Sequence, residues 1–403
     1  MPSKAEGHCP PMPRILLFSG KGGVGKTTIA AATGLAAAST GRRVLVLSLD
    51  LAHSLSDAFG LERSLFDHGE GRPTPINENL EIQEIDVQQE VEHRWHDSGN
   101  VFSLLLAATG IQDAMAEDLV LMPGMEDLIT LLYLNQHAGE DNYDLIVIDC
   151  PPTGDSLRFI SMPKTLEWYV RKRYGVTPGH DSEIRSDAMA GGLVDMYRGL
   201  AGVDALLQDP AQTSVRLVSA PERMVVRETQ RAFMYFSLYG LVTDRIIVNR
   251  ILPEAAGLSS WRRTQAAVIR EMEELFAPVP ISKIPFYGEE MVGVERLNEL
   301  AKNLYGSSDP AAPGPSRPPF QLEVDRGRPV ITVPVPFTSR SDLTLHREDR
   351  HVIVRIGSFK RHLPLPRELV HAPVKSAKIQ DGVLRILFEI PDKTRESDQV
   401  TPK

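Results

Sequence analysis

The residues that follow the first apolar run carry the clearest chemistry in the chain. They match the pattern G-x-x-x-x-G-K-[ST] and read Gly20-Lys21-Gly22-Gly23-Val24-Gly25-Lys26-Thr27-Thr28. Glycines let the backbone curl until successive N–H groups point at phosphate oxygens, at the positive end of the helix that follows. The pattern therefore predicts a nucleoside triphosphate site built from these nine residues, in which Lys26 reaches the β- and γ-phosphates and Thr27 holds Mg²⁺.

A second lysine, Lys21, follows the first glycine of the loop. An ordinary phosphate loop does not need it. The loop resembles a deviant class in which this early lysine crosses a dimer interface and offsets charge that develops on the phosphates of the opposite subunit. The resemblance implies a homodimer with Lys21 as a catalytic residue. The alternative is a solvated lysine in a loop.

Two acidic residues follow predicted strands. Asp149 comes after the apolar run 145–148, and Asp50 comes after the run that ends at Leu49. Parallel-sheet triphosphatases use a strand-end carboxylate to hold the water shell of Mg²⁺, so Asp149 is the predicted metal-side carboxylate. Its alternative role is to cap the next turn. Asp50 could orient or deprotonate the water that attacks the γ-phosphate.

These residues need a sheet to position them, and the apolar pattern supplies one. Near-continuous apolar strands alternate with helical stretches, which predicts a doubly wound α/β domain over residues 14–305 with a mostly parallel sheet. The predicted strands are Arg14–Ser19, Arg43–Leu49, Leu80–Ile85, Leu145–Asp149, Val215–Ser219, Arg245–Val248 and Ile281–Pro285. Ligands should gather at the carboxyl ends of these strands.

The pattern changes after residue 305. Residues 306–319 read GSSDPAAPGPSRPP, a composition that predicts a linker. Short strands without intervening helices then predict a small all-β sandwich over residues 320–391, followed by a polar, disordered tail. The predicted strands are Val330–Val335, Asp342–His346, His351–Ile356, Lys360–Leu365, Val374–Gln380 and Val383–Ile390.

Composition excludes several classes of protein. The 403 residues favour two domains, and 42% hydrophobic with 24% charged residues is ordinary for a soluble chain. A net charge of -9 argues against a broad nucleic-acid surface. No apolar run is long enough to cross a membrane, and residues 1–13 lack the apolar core of a secretory signal, so a cytoplasmic or stroma-like soluble compartment is expected. Of the two cysteines, Cys9 lies near the N-terminus and Cys150 reads as a core residue.

Two longer motifs resemble those of the arsenite-pump ATPases (ArsA) and of the GET (TRC) ATPases that target tail-anchored membrane proteins. The first switch of that family reads D-P-A-H-S/N-L-S-D-A-F, and residues 50–59 here read DLAHSLSDAF. The second switch reads D-T-A-P-T-G-H-T-L-R, and residues 149–158 here read DCPPTGDSLR. The resemblance covers residues 14–305.

The resemblance implies an ATPase that uses ATP and Mg²⁺. It implies that Asp50 positions the attacking water, that Lys21 acts across the dimer, and that Thr27 serves Mg²⁺ together with Asp149, the latter through water. It also places adenine near three residues outside the phosphate loop, which are Asn249, Pro285 and Phe286.

The chain departs from the family at several positions. Leu51 replaces a proline of the first switch, and Asp155 replaces a histidine of the second. The eukaryotic targeting factors hold their dimer with zinc on a C-x-x-C pair near the stretch that here spans residues 258–265, which has no cysteine, so no zinc is expected. Two cysteines are also too few for an As(III) thiolate cluster. Two other groups of proteins with the deviant loop resemble this chain less. The nitrogenase iron protein needs bridging cysteines. Chromosome- or septum-positioning ATPases usually have a basic DNA-binding patch or a terminal amphipathic membrane helix.

Segments rich in leucine and methionine lie between and after the two switches. They comprise 102–108, 115–125, Met189, Leu193, Met196, Leu200, Leu206 and Leu207. Such residues suit a groove for varied apolar helices, and they equally suit an amphipathic helix that buries its face in the core. The family resemblance favours the groove.

The C-terminal stretch 377–386, AKIQDGVLRI, resembles the end of the α-crystallin domain of small heat-shock proteins. The expected function is therefore a homodimeric, Mg²⁺-dependent ATPase that captures and releases hydrophobic protein segments. That role allows transient contact with a membrane or a receptor and requires no nucleic acid. The alternatives are a general holdase chaperone with a regulatory ATPase and, less favoured, a metalloid-efflux ATPase.

Overall fold

The computed structural model describes residues 12–49, 54–61, 71–85, 125–174, 200, 202–255, 257–314, 321–325, 328–348 and 350–389. The chain forms two compact units. One comprises residues 1–229 with 243–316, and the other comprises residues 230–242 with 317–403. Each unit has a core of its own.

An eight-stranded sheet forms the centre of the first unit. Its strands are β1 (Arg14–Gly20), β2 (Val44–Ser48), β3 (Thr74–Asn77), β4 (Leu80–Glu84), β5 (Leu145–Asp149), β6 (Thr213–Ser219), β7 (Thr243–Ile251) and β8 (Ile281–Pro285). Their order is β3-β4-β2-β5-β1-β6-β7-β8, and every neighbouring pair is parallel except β3 and β4. The predicted α/β class with a mostly parallel sheet is confirmed.

Strand β3 was not predicted from the sequence. It pairs antiparallel with β4 at the edge of the sheet, and its residues alternate between half-buried and exposed. A four-residue strand that contains a proline gives only a weak apolar signal, and an edge strand tolerates that proline because one side of it needs no partner. The central strands β1, β2 and β5 are buried along almost their whole length, which is why their continuous apolar runs were recognisable.

Helices connect the strands of this unit. They are α1 (Lys26–Ala38), α2 (Ser54–Phe59), α3 (Met125–Gly139), α4 (Thr153–Tyr174), α5 (Val203–Gln208), α6 (Arg223–Tyr239), α7 (Ser259–Phe276) and α8 (Val294–Tyr305). Small residues let α1 approach the sheet closely: a Cβ built on Gly34 would lie 2.4 Å from Cγ2 of Val46 in β2. The alanine-rich sequence of α1 therefore serves tight helix–sheet packing.

A buried polar cluster ties the end of α8 to the sheet. The guanidinium of Arg216 on β6 is 1% exposed, and its Nε donates to Asp244 Oδ1 at 3.2 Å. Its Nη1 donates to the hydroxyl of Tyr305, the last residue of α8, at 2.8 Å, and its Nη2 donates to the carbonyl of Pro310 at 2.7 Å. Because a buried guanidinium is costly unless its donors are used, this cluster fixes both α8 and the residues just after it.

Two antiparallel sheets form the second unit. One has the order β14-β15-β10-β9 and the other β11-β12-β13. The strands are β9 (Gln321–Asp325), β10 (Arg328–Pro334), β11 (Leu343–Glu348), β12 (His351–Ile356), β13 (Phe359–Pro364), β14 (Val374–Gln380) and β15 (Val383–Phe388). Alternate residues of both sheets, such as Val333, Val354 and Ile386, share one apolar core. The predicted all-β sandwich is confirmed, although β9 was not recognised, because this edge strand is exposed along most of its length.

The second half of α6 belongs to this second unit. Met234 and Leu238 are buried in the core of the sandwich, and the hydroxyl of Tyr239 donates to the carbonyl of Lys360 at 3.2 Å. Nothing in the sequence of the sandwich itself indicates that a segment about eighty residues earlier completes its core. Only the tertiary structure shows this arrangement.

Candidate functional site

The phosphate loop joins the carboxyl end of β1 to the first residue of α1. Gly25 is the N-cap of α1 with φ 94°, a left-handed conformation, and a Cβ there would lie 2.7 Å from Asn249 Nδ2. The left-handed backbone therefore favours glycine, and a Cβ would also displace the Asn249 amide. Since Gly25 has no side chain to accept from the first-turn N–H groups, those donors suit an anion at the positive end of the helix.

The two lysines of the loop lie together. The side chain of Lys26 is buried, with 7% of its surface exposed, and its ammonium lies 3.5 Å from the carbonyl oxygen of Lys21. Lys21 itself is half-buried. A buried cation among backbone N–H groups fits the polyanionic phosphates that the motif predicts.

The two residues predicted to hold Mg²⁺ lie in α1 and at the end of β5. Thr27 Oγ1 lies 3.2 Å from the Oγ of Ser54, the first residue of α2. Asp149 ends β5 and is fully buried. Register places Asp149 beside Ser48 of β2, and Ser48 beside Glu84 of β4, so the two carboxylates lie in one row at the carboxyl ends of the strands. Hard oxygen donors of this kind fit Mg²⁺.

Glu84 is a site residue that the sequence reasoning missed. Its Oε1 accepts hydrogen bonds from the backbone N–H groups of Leu55 at 2.9 Å and Ser56 at 3.0 Å, and its Oε2 accepts a short hydrogen bond from the Ser56 hydroxyl. The sequence does contain a signal for Glu84, because this residue, like Asp149, is an acid near the carboxyl end of a predicted strand. Ser54 was also available, since it lies inside the first switch motif.

The second switch begins at the amino end of α4. Ser156 Oγ donates to the carbonyl of Pro151 at 2.6 Å and accepts from Ser19 Oγ at 3.1 Å, which ties the segment to β1. The hydroxyl of Thr153 donates to Glu228 of α6 at 3.3 Å. The switch is thus held between the strand that carries the phosphate loop and a neighbouring helix.

Asp155, which stands where the family usually has histidine, pairs with an arginine. Arg158 donates from Nη2 to Asp155 Oδ1 at 3.1 Å and from Nε to Asp127 Oδ2 at 3.0 Å. Burial raises the pKa of the Asp127 carboxyl, and the hydrogen bond from Arg158 opposes that rise. Burial, with the nearby Asp149 charge, also raises the pKa of the Cys150 thiol well above its ordinary value. Cys150 is therefore a buried thiol with little thiolate character, as expected for a core residue.

The residues predicted near adenine lie at the ends of neighbouring strands. Pro285 of β8 pairs with Ile251 of β7, and the backbone N–H of Phe286 donates to the Ile251 carbonyl at 2.8 Å. The side chain of Phe286 is 50% exposed, which is unusual for a large apolar residue. Asn249, also on β7, donates from Nδ2 to the carbonyl of Val24 at 2.9 Å, which links this strand to the phosphate loop.

Several predicted residues lie outside the described part of the chain. They are Asp50 and Leu51 of the first switch and, among the proposed groove residues, segments 102–108 and 115–124 with Met189, Leu193 and Met196. The described members of that set, Leu200, Leu206 and Leu207, are buried in the first unit. For these three residues the core interpretation applies.

The described residues lack a preformed metal cluster and a membrane-spanning helix. Within the ranges given above, no three or more His, Cys, Asp or Glu side chains are grouped so that they could hold a metal ion among themselves. In the same part of the chain, no helix combines the length and the apolar character that a membrane crossing requires.

Comparison with known families identifies both units. Residues 13–306 match the family described as anion-transporting ATPase, ArsA. The chain belongs to the ArsA family of ATPases. Residues 326–388 match the HSP20-like domain found in ArsA. The resemblances inferred from the switch motifs and from the C-terminal stretch are thereby confirmed, as is ATPase activity.

Relatives of this ArsA-family chain include proteins named arsenical pump-driving ATPase and proteins named GET3. "Putative arsenical pump-driving ATPase 1" of Aquifex aeolicus is 40% identical over 394 residues, which cover 93% of this chain and 100% of that protein. A protein of Chlorobaculum tepidum named "Putative arsenical pump-driving ATPase" is 32% identical over 94% of this chain and 96% of its own length. "ATPase GET3" of Chaetomium globosum is 29% identical and covers 72% of this chain and 90% of its own.

Proposed function

We propose that this ArsA-family ATPase works as a homodimer that couples Mg²⁺-dependent ATP hydrolysis to the capture and release of hydrophobic protein segments. The observation that carries the proposal is the presence, in one chain, of a phosphate loop with two lysines and an HSP20-like domain. The loop supplies a nucleotide-dependent switch. The HSP20-like domain resembles the α-crystallin domain of small heat-shock proteins, which are chaperones. The relative named ATPase GET3 agrees with this reading.

Different residues of the phosphate loop bind the phosphates and the metal ion in this proposal. The N–H groups at the start of α1 and the ammonium of Lys26 bind and orient the phosphates. Mg²⁺, when bound, neutralises phosphate charge and orders the β- and γ-phosphates, and Thr27 would hold it directly while Asp149 holds it through water. Lys21 contributes its charge to the phosphates of the opposite subunit.

Other residues act on the attacking water or bind the adenine ring. Asp50 orients the attacking water or accepts its proton. Asn249 holds the phosphate loop from β7, and Pro285 with Phe286 provides an apolar surface for adenine beside it. The proposed domains are residues 14–305 for nucleotide turnover and 320–391 for the HSP20-like part, joined by 306–319. The proposed location is the cytoplasm, and the net charge of -9 favours a function without a nucleic-acid partner.

Client capture is tested with a variant that binds ATP and does not hydrolyse it. Asp50→Asn protein is purified from cells in ATP or in ADP, and co-purifying proteins are identified by mass spectrometry. Enrichment of proteins with a single hydrophobic helix in ATP alone is expected. Lys26→Ala, which weakens phosphate binding, is the control and should capture nothing in either nucleotide. Capture of the same mixed proteins in both nucleotides would replace the proposal with a holdase whose ATPase is regulatory.

A metalloid function is the second candidate, because two of the relatives described above are named arsenical pump-driving ATPases. The chemistry of the chain disfavours it: As(III) prefers thiolates, the sequence has two cysteines, and the Cys150 thiol is buried with a raised pKa. Arsenite or antimonite added to the purified protein should leave ATP turnover unchanged. A stimulation that is lost in Cys9→Ser would revive this function.

A further inference from the structure

Glu84 is a buried carboxylate that accepts three hydrogen bonds from one short helix. It ends β4, is 4% exposed, and accepts from the N–H groups of Leu55 and Ser56 and from the Ser56 hydroxyl. These N–H groups lie in the first turn of α2, where a helix has no partners of its own for them. Glu84 therefore caps the first turn of α2 from a strand of the sheet.

The helix α2 depends on such contacts. It has six residues, from Ser54 to Phe59, and isolated helices of that length are not stable in water. Its apolar contribution comes from Leu55, Ala58 and Phe59, which are buried in the core of the first unit. These side chains hold the helix against the core, whereas Glu84 holds its first turn at one end of the sheet.

The first turn of α2 is also the part that reaches the phosphate loop. Ser54 begins the helix, and its hydroxyl lies 3.2 Å from that of Thr27, the second residue of α1. Glu84 in turn lies in the same row of the sheet as Asp149, with Ser48 of β2 between them. Two strand spacings put the Cα atoms of Glu84 and Asp149 about 10 Å apart, so Glu84 lies on the same edge of the sheet as the predicted metal-side carboxylate.

We propose that Glu84 is a positioning residue for the Mg²⁺–nucleotide site: it fixes the first turn of α2 and thereby keeps the Ser54 hydroxyl beside Thr27. This inference rests on the proposed role of Thr27 as a Mg²⁺ ligand. A partner one step removed from a ligand orients it, and loss of such a partner typically costs 10- to 100-fold in metal affinity or activity. A merely structural role would instead lower stability without changing the response to Mg²⁺.

The first test needs neither nucleotide nor metal. Hydrogen–deuterium exchange is measured on peptides that cover residues 54–61 in the nucleotide-free protein. Glu84→Ala removes the acceptor, so exchange of the Leu55 and Ser56 amides should accelerate about tenfold or more. Glu84→Gln keeps a carbonyl oxygen for both N–H groups and should remain within about threefold of the wild type. Unchanged exchange in Glu84→Ala would overturn the capping role.

The second test measures the Mg²⁺ concentration that gives half-maximal tightening of a fluorescent ATP analogue. Glu84→Ala should raise that concentration about tenfold, while binding of the analogue without Mg²⁺ stays the same. Glu81→Ala is the matched control, because Glu81 lies on the same strand and accepts a hydrogen bond from Tyr143, away from α2. It should behave like the wild type. If Glu84→Ala does not fold, Glu84→Asp, which withdraws the carboxylate by one methylene, should shift the Mg²⁺ response in the same direction.

A double variant tests the route through Ser54. If Glu84 acts by positioning that hydroxyl, Glu84→Ala should add little to the Mg²⁺ shift already caused by Ser54→Ala. Fully additive shifts, or no shift in either single variant, would overturn the inference. Lys26→Ala separates this result from the proposed site itself: normal nucleotide binding in that variant would refute the site, whereas loss of binding leaves the Mg²⁺ result for Glu84 to be judged alone.

Discussion

At the scale of single residues, Lys21 offers the sharpest test of the site. The proposal places it on the phosphates of the opposite subunit, so a mixture of Lys21→Ala and Lys26→Ala subunits should regain ATP turnover. In a mixed dimer, the intact Lys26 of one subunit would meet the intact Lys21 of the other, and equal mixing would restore about a quarter of the sites. Each variant alone should be inactive in steady-state assays. Failure of the mixture, with mixed dimers verified by mass, would assign Lys21 to its own subunit.

His137 is a second residue with a measurable consequence. The ring is buried between Tyr133 and Tyr143, and its Nε2 is 2.8 Å from Gln83 Oε1. Burial lowers the pKa of His137, and the nearby carboxylates of Glu140 and Glu81 oppose this only in part. Below the ordinary histidine pKa of about 6.5, the unfolded chain binds a proton that the folded chain resists, so stability falls as the pH falls.

The expected result is a loss of thermal stability between pH 7 and pH 5 that is smaller in His137→Gln than in the wild type. Thermal unfolding followed by circular dichroism at the two pH values measures it. His346→Gln removes an exposed histidine from the sandwich and serves as the control. An equal pH response in His137→Gln and the wild type would show that this histidine does not govern acid stability.

At the scale of elements, Tyr305 joins three parts of the first unit. Its hydroxyl accepts a hydrogen bond from Arg216 Nη1 at 2.8 Å and lies 2.7 Å from Thr33 Oγ1. Tyr305 therefore links α8 to β6 and to α1. Tyr305→Phe leaves a buried guanidinium donor without this acceptor and should cost about 1–3 kcal/mol. The urea midpoint should fall with little change in slope. Tyr287→Phe, whose hydroxyl contacts Asn303 at the surface, should leave the midpoint within error.

Helix α2 and its cap could not be predicted from local sequence patterns. Helix α2 is too short to give an apolar period, and the acid that caps it, Glu84, lies twenty-eight or more positions away in the chain. Its cap is invisible to local capping rules, which look for an acceptor at the residue just before the helix. The longer helix α1 was easier to anticipate, because its alanine-rich sequence directly follows the phosphate loop.

At the scale of the whole molecule, α6 supplies the decisive observation. Met234 is 8% exposed and Leu238 is fully buried, both within the core of the second unit. A chain truncated after residue 316 would uncover these side chains, since their partners in the sandwich would be gone. It should bind the dye ANS and elute as aggregates on size exclusion.

The control for this truncation carries Met234→Ser and Leu238→Ser in the same shortened chain. Polar residues at these positions should reduce ANS fluorescence and restore a defined elution volume. If the unmodified truncated chain already behaves as a compact species, the second half of α6 does not depend on the sandwich.

The sequence by itself determined the class of both units and predicted the phosphate loop of the candidate site. Continuous apolar strands such as Leu145–Asp149 and the glycine-rich loop around Lys26 are local patterns, and their meaning follows from backbone geometry and from phosphate chemistry. It likewise placed Asn249, Pro285 and Phe286 in one region, through a family pattern.

Only the tertiary structure decided which distant residues complete these patterns. Glu84 reaches α2 because parallel strands bring their carboxyl ends to one edge of the sheet. The guanidinium of Arg216 donates to acceptors on β7, on α8 and in the segment after α8. Asn249 reaches Val24 across 225 positions for the same reason. Such contacts arise from strand order and burial, which no short window of sequence contains, because the free energy that fixes them comes from packing of segments far apart in the chain.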